Sequence, residues 1–151
     1  MTDLKRVVRE FKKVGAYCRK LRKKEAYICE LENAEALIDK DKIVIRTLNE
    51  IDTDYLSGKT NDGVEDEELF KMLEEELGCE ISIFASGDLR IEFIFPTERY
   101  KEVAKIFKRI ATKDLSIEYT NLYGTLYLWM TKNGKREVVS TDEFIDAFLK
   151  D

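Results

Sequence analysis

From residue 43 onward, segments typical of strands, which are rich in β-branched residues or alternate apolar and polar residues, are interspersed with segments that have the 3.6-residue period of a helix. Strand patterns lie at 43–48, 81–85, 89–95 and 115–121, and amphipathic helix patterns lie at 65–78 and 98–111. Hydrophobic periodicity is the main local indicator of secondary structure. In chain order these segments read β-α-β-β-α-β, which predicts a ferredoxin-like α+β domain with an antiparallel sheet and two helices on one of its faces.

Strong turn and capping signals extend this domain toward the C-terminus. Asn133-Gly134 joins two further strand patterns at 124–132 and 135–140, and this dipeptide is typical of a two-residue hairpin turn. Ser140 with Glu143 forms a capping box ahead of an apolar helix face. We therefore expect an extra C-terminal hairpin and helix after the ferredoxin-like core.

The first 40 residues have a different pattern, in which apolar residues alternate at spacings of three and four. The apolar positions are Leu4, Val7, Phe11, Val14, Cys18, Leu21 and Ile28. Such a heptad-like seam predicts one long amphipathic helix that ends near Asp39. It also divides the chain into a helical arm at 1–40 and a ferredoxin-like domain at 41–151. Because the seam must be buried, we expect a homodimer that pairs through a coiled coil.

Charge is divided unevenly along the chain. Residues 1–24 contain ten Lys or Arg and two acidic residues, a net charge of +8, whereas the other residues contain 16 basic and 29 acidic side chains, a net charge of −13. On the predicted helix the basic side chains lie opposite the apolar seam, and a basic segment on an acidic protein is typical of an interaction site for a polyanion. The expected nucleic-acid-binding residues are Lys5, Arg6, Arg9, Lys12, Lys13, Arg19, Lys20 and Lys23.

Composition excludes several kinds of chemistry. The chain has no histidine, so it can form neither a Ser-His relay nor an imidazole metal site. Three cysteines without CxxC spacing favour buried thiols over a disulfide or a zinc site. The 38% charged residues and the lack of glutamine are typical of thermophile proteins. With no apolar run of membrane-spanning length, we expect a cytoplasmic protein that makes no contact with a membrane.

One carboxylate offers an alternative function. The stretch FASGDLRIEF at 84–93 predicts a hairpin with Asp88 at its turn, and Asp52 and Asp54 follow the first strand of the β-α-β-β-α-β order. Here 43–110 resembles the palm domains of diguanylate cyclases and related polymerases, although Ser86 and Leu89 replace a glycine and an acidic residue of that hairpin. The resemblance implies a Mg²⁺-dependent nucleotidyl transferase or cyclase with metal on Asp88 and Asp52 or Asp54. Gly-Asp is also ordinary turn chemistry, which is the interpretation that we adopt.

A cluster of aromatic residues at 119–129 contains Tyr119, Tyr123, Tyr127 and Trp129. Tyr127 and Trp129 share one strand face, where they could form a stacking platform for bases. Packing in the core or at a sheet edge is the favoured interpretation.

The sequence therefore predicts a small non-enzymatic binding or regulatory protein without a cofactor. Its basic N-terminal segment contacts the phosphates of DNA or RNA, and it does so with little dependence on base sequence. The palm-type enzyme is one alternative. The other is a protein–protein adaptor in which the N-terminal helix serves only for dimerisation or docking.

Overall fold

The computed structural model describes residues 3–47, 64–65, 67–86, 88–120 and 125–151. These residues form an α+β fold with four α-helices and two antiparallel sheets. The helices are α1 (Leu4–Lys13), α2 (Glu67–Leu77), α3 (Tyr100–Lys113), which follows a 3₁₀ turn at Thr97–Arg99, and α4 (Thr141–Leu149). None of the described helices is long and apolar enough to cross a lipid bilayer.

A six-stranded antiparallel sheet is the centre of the fold, and a smaller sheet packs beside it. The strands of the large sheet, from edge to edge, are β1 (Tyr17–Lys20), β2 (Tyr27–Leu31), β3 (Ala34–Ile38), β4 (Lys42–Thr47), β7 (Asp88–Pro96) and β6 (Glu80–Ser86). In the small sheet, β9 (Thr125–Lys132) pairs with β8 (Ser116–Thr120), β10 (Lys135–Val138) and β5 (Val64–Glu65).

The sheet order agrees with part of the predicted topology. Strand β7 lies between β4 and β6 and is antiparallel to both, as a split β-α-β unit requires. The fourth strand differs, because β8 pairs with β9 in the small sheet. The edge of β4 where a ferredoxin-like fold places its fourth strand is occupied by β3. The predicted single ferredoxin-like sheet is therefore wrong at this position.

The predicted long N-terminal helix and its coiled coil are also wrong. The helix α1 has ten residues, and β1, β2 and β3 follow it. Gly15 has φ +103°, a left-handed conformation that ends the helical segment. The predicted boundary at residue 40 falls in the turn between the paired strands β3 and β4. The apolar side of α1 packs within the same chain, so the seam cannot pair two copies, and the homodimer stays a prediction.

The main core lies between the helices and one face of the large sheet. Along β4 the side chains of Ile43 and Ile45 are fully buried, and on β7 Phe93 and Phe95 are fully buried beside them. Helix α3 contacts β3 and β4, whereas α1 contacts β1, β2 and α3. On the opposite sheet face, Arg46 Nε donates to Glu92 Oε1 at 2.7 Å. The side chains of β7 therefore alternate, with Phe93 and Phe95 toward the helices and Glu92 on the opposite face.

The turn signals in the C-terminal half are confirmed. Asn133 and Gly134 have φ of 52° and 80°, the two positive values that a type I′ hairpin turn needs. Ser140 Oγ accepts from the backbone N–H of Glu143 at 3.2 Å and caps α4.

A disulfide joins Cys18 and Cys29, so the prediction of three free thiols is wrong for this pair. The two residues are directly opposite each other on β1 and β2, with Cα atoms 4.0 Å apart. Pairing across adjacent strands brings residues that are 11 positions apart in the sequence within bonding reach. Cys79 is a free buried thiol, and burial, with a smaller contribution from Glu74, raises its pKa to about 12. This thiol is therefore un-ionised and unreactive at neutral pH.

Candidate nucleic-acid interface

The predicted basic residues are all exposed, but they do not form a stripe on one helix. Five lie on α1, two lie on the edge strand β1, and Lys23 lies in the turn between β1 and β2. Two further exposed cations occupy the same turn. We call the complete set the basic edge, and its members are Lys5, Arg6, Arg9, Lys12, Lys13, Arg19, Lys20, Arg22, Lys23 and Lys24.

Helix α1 presents its cations outward because its other side is held by the core. Val7 and Phe11 are fully buried, and the rings of Phe11 and Phe107 have centroids 5.3 Å apart. At the N-terminus, Asp3 Oδ1 accepts from the backbone N–H of Lys5 at 3.0 Å, which caps the helix. The helix can therefore carry five exposed cations without losing its packing.

The end of α1 is tied directly to the start of β1. The backbone N–H of Gly15 donates to Lys12 O at 3.0 Å, and that of Ala16 donates to Phe11 O at 3.1 Å. These bonds turn the chain sharply, so the last turn of α1 lies beside the first residue of β1. The helix and the strand that carry most of these cations are consequently neighbours in the fold.

Strand β1 is an edge strand, bordered only by β2 among the described strands. Cys18 points toward the helices, where the disulfide attaches it to the fully buried Cys29. Its neighbours Tyr17 and Arg19 point to the opposite sheet face, because successive strand side chains alternate. The disulfide thus fixes the position of both neighbours.

Few carboxylates neutralise the basic edge. Within the described part of the chain, the basic edge makes one ion pair. It joins Lys13 Nζ and Glu10 Oε1 at 3.1 Å, one turn apart on an exposed helix face. Exposed pairs of this kind contribute at most about 1 kcal/mol. Glu30 lies opposite Tyr17 on β2 and is exposed on the same sheet face. Among the described residues, the positive charge is therefore left largely unpaired on the helix side and along the outer border of β1.

The most exposed large apolar side chain among the described residues belongs to this edge. Tyr17 is 71% exposed, although an aromatic ring gains substantially from burial. Arg19 lies two residues further on the same face of β1. An exposed aromatic ring beside a cation is typical of surfaces that bind unpaired bases.

The alternative metal site lies largely outside the described part of the chain. Asp52 and Asp54 lie outside the described residues. Asp88 begins β7 and is opposite Ser86 in the hairpin register, and its side chain is also outside the described part. No group of three Cys, Asp or Glu residues suited to a metal occurs among the residues described. The Mg²⁺-dependent enzyme stays a prediction.

The structure describes the side chains of two members of the aromatic cluster. Tyr127 and Trp129 are 6% and 1% exposed, so packing, the favoured interpretation, is confirmed for this pair. The guanidinium of Arg136 lies 5.4 Å from the centroid of the Trp129 ring and donates to Asp114 Oδ2 at 2.8 Å. These contacts hold β10 to β9 and to the C-terminal cap of α3. Tyr119 and Tyr123 are outside the part of the chain whose side chains are described.

Glu118 is an unusual carboxyl group on β8. Its Oε2 atom is buried and has no hydrogen-bond partner among the described residues. Burial raises the pKa of Glu118 to about 7, although the positive charge of Arg136 lowers it. Near neutral pH this side chain therefore exists in both protonation states.

Sequence reasoning missed three features of this surface. Arg22 and Lys24 were not among the expected contact residues because they did not lie on the outer face of the predicted helix. Tyr17 was not among the expected contact residues because it carries no charge. The signal that could have found them is Gly15, because glycine inside a helix is unfavourable by about 1 kcal/mol relative to alanine.

Comparison with protein-family models, curated proteins and solved structures finds no match for this chain.

Proposed function

We propose that this chain is a non-enzymatic protein that binds the phosphate backbone of nucleic acid through the basic edge. The observation that carries the proposal is that ten exposed cations border β1 and α1. Phosphates bound by Lys and Arg release condensed counterions, and this release supplies most of the affinity in sequence-independent binding. The net charge of −13 outside residues 1–24 repels nucleic acid from the rest of the protein and so directs it to this border.

Salt dependence gives a quantitative test. If about six phosphates are neutralised, the plot of log affinity against log salt has a slope of about −5.4 for duplex DNA and about −4.2 for a single strand. Fluorescence anisotropy with labelled oligonucleotides, titrated at several salt concentrations, measures this slope. A slope near zero, or no binding at low salt, would contradict the proposal.

Charge reversal locates the surface. The variant with Lys12, Lys13, Arg19 and Lys20 all changed to Glu is expected to lose detectable binding at moderate salt. The matched control reverses Lys40, Lys71, Lys101 and Lys135, four exposed lysines elsewhere in the chain. Both variants change the net charge by the same amount, so they separate a local effect from an overall one. Equal losses in the two variants would rule out a defined interface.

The adaptor alternative makes a different prediction for the same surface. An acidic polypeptide such as polyglutamate presents carboxylates instead of phosphates and has no bases. A polyglutamate of equal charge that competes as well as the oligonucleotide would favour an acidic protein partner. We expect the oligonucleotide to bind more tightly, because phosphates are strong hydrogen-bond acceptors for Lys and Arg.

A further inference from the structure

We propose that the basic edge selects single-stranded nucleic acid, with the ring of Tyr17 as the surface on which an unpaired base stacks. This inference rests on the proposed function and specifies its substrate class. Two observations support it, namely the 71% exposure of Tyr17 and the position of Arg19 two residues further on the same face of β1.

The cations near Tyr17 are arranged on both sides of it along the chain. Lys12 and Lys13 end α1 just before it, and Arg19 and Lys20 follow it on β1. Arg19 shares the sheet face of Tyr17, whereas Lys20 alternates to the helix side, where Lys12 and Lys13 end α1. A strand of nucleic acid along β1 would therefore meet Arg19 beside the ring and the other cations across the outer border of β1.

The position of Glu30 determines which way the nucleic acid must lie. This exposed carboxylate is opposite Tyr17 on β2 and repels phosphates from the inner side of the ring. The backbone must accordingly run along the outer border of β1, with the base turned inward over Tyr17. A duplex cannot bind in this way, because its bases are already stacked on one another.

The backbone that carries the ring is also anchored. Cys18 follows Tyr17 directly, and its disulfide to the fully buried Cys29 anchors this part of β1 to the sheet. A binding group that is fixed beforehand loses less conformational entropy on binding. Stacking on one aromatic ring typically contributes about 1–3 kcal/mol per base.

Binding by variants at position 17 tests the inference. Because Tyr17 is largely exposed, its truncation removes little buried area, and unchanged thermal unfolding confirms that the variants fold. With a labelled oligothymidylate of about 12 nucleotides, a length within the site sizes of single-strand-binding folds, Tyr17→Ala should weaken binding about tenfold. Tyr17→Phe, which keeps the ring, should bind like the wild type, and duplex binding should be the same in all three proteins.

Fluorescence provides a direct signature of stacking. The natural Trp129 is 1% exposed, so its emission should not respond to an oligonucleotide bound at β1, and the wild type serves as the control. In Tyr17→Trp, the new indole should be quenched when oligothymidylate binds.

The possible failures are distinguishable. If the wild type binds with a steep salt dependence, but Tyr17→Ala binds equally well and Tyr17→Trp is not quenched, the stacking inference is overturned and the proposed function stands. If the wild type binds no oligonucleotide at low salt, both are overturned.

Discussion

The disulfide between Cys18 and Cys29 should supply a large part of the stability of this protein. A cross-link restricts the unfolded chain and so raises the free energy of the unfolded state. The two residues are 11 positions apart, and the chain-entropy relation gives about 2.8 kcal/mol for a loop of this size. Single domains have unfolding free energies of about 5–15 kcal/mol, so the cross-link accounts for a substantial fraction.

Urea unfolding of the oxidised and reduced protein measures this contribution. Reduction should lower the urea midpoint by about 1–3 M, given slopes of about 1–3 kcal/mol per M. It should also lower Tm by about 6–11 °C, at about 2–4 °C per kcal/mol for a chain of this size. The double variant Cys18→Ser/Cys29→Ser should unfold like the reduced wild type, and a reducing agent should have no effect on it.

Thiol titration in denaturant checks the premise. The oxidised chain should expose one reactive thiol, that of Cys79, and the reduced chain should expose three, the full cysteine count. Equal unfolding midpoints in a protein that passes this titration would refute the reasoning, because the cross-link would then be present without constraining the unfolded state.

Two further predictions concern the core and the pH dependence of stability. Phe148 is fully buried, with its ring centroid 5.4 Å from that of Phe93, so Phe148→Ala should lower the unfolding free energy by about 3–5 kcal/mol. The control Leu149→Ala, at a neighbour that is 39% exposed, should change it by less than about 1 kcal/mol. Similar losses for the two variants in urea unfolding would contradict this packing. The pKa of Glu118 is raised from 4.5 to about 7, so the folded state binds more protons than the unfolded state, and stability is expected to fall as pH rises from 4.5 to 7. Because this side chain is only partly buried, we expect Glu118→Gln to remove about 1 kcal/mol of that decline. Identical pH profiles of Tm in the wild type and the Glu118→Gln variant would show that the carboxyl group is solvated.

The fold from β4 onward was predictable where local signals agreed with tertiary structure. Asn133-Gly134 and the Ser140 cap each specify a backbone geometry through their own chemistry, so the last hairpin and α4 follow from short stretches of sequence. The position of β8 did not follow, because it depends on which strand occupies the free edge of β4. Which strand occupies that edge is decided by long-range pairing, and local sequence patterns do not predict it.

The N-terminal segment shows how a local pattern can mislead. Its Lys, Arg, Glu and Ala residues favour helix, and the spacing of its apolar residues happens to match a heptad up to Ile28. In the folded protein, Ala34 and Ala36 instead bury their side chains in a sheet by pairing with β4. Strand preference depends strongly on such context. The exposure of the predicted cations was nevertheless correct, since charged side chains remain in solvent in either structure.

The cations on β1 have a consequence for solubility. An edge strand presents unpaired backbone N–H and C=O groups that can recruit another strand and lead to aggregation. If two copies paired through β1, Arg19 and Lys20 of one copy would approach those of the other, and this repulsion opposes extension of the six-stranded sheet into fibres. Substitution of both residues by Glu preserves like-charge repulsion, whereas substitution by Ala removes it and leaves the edge unprotected.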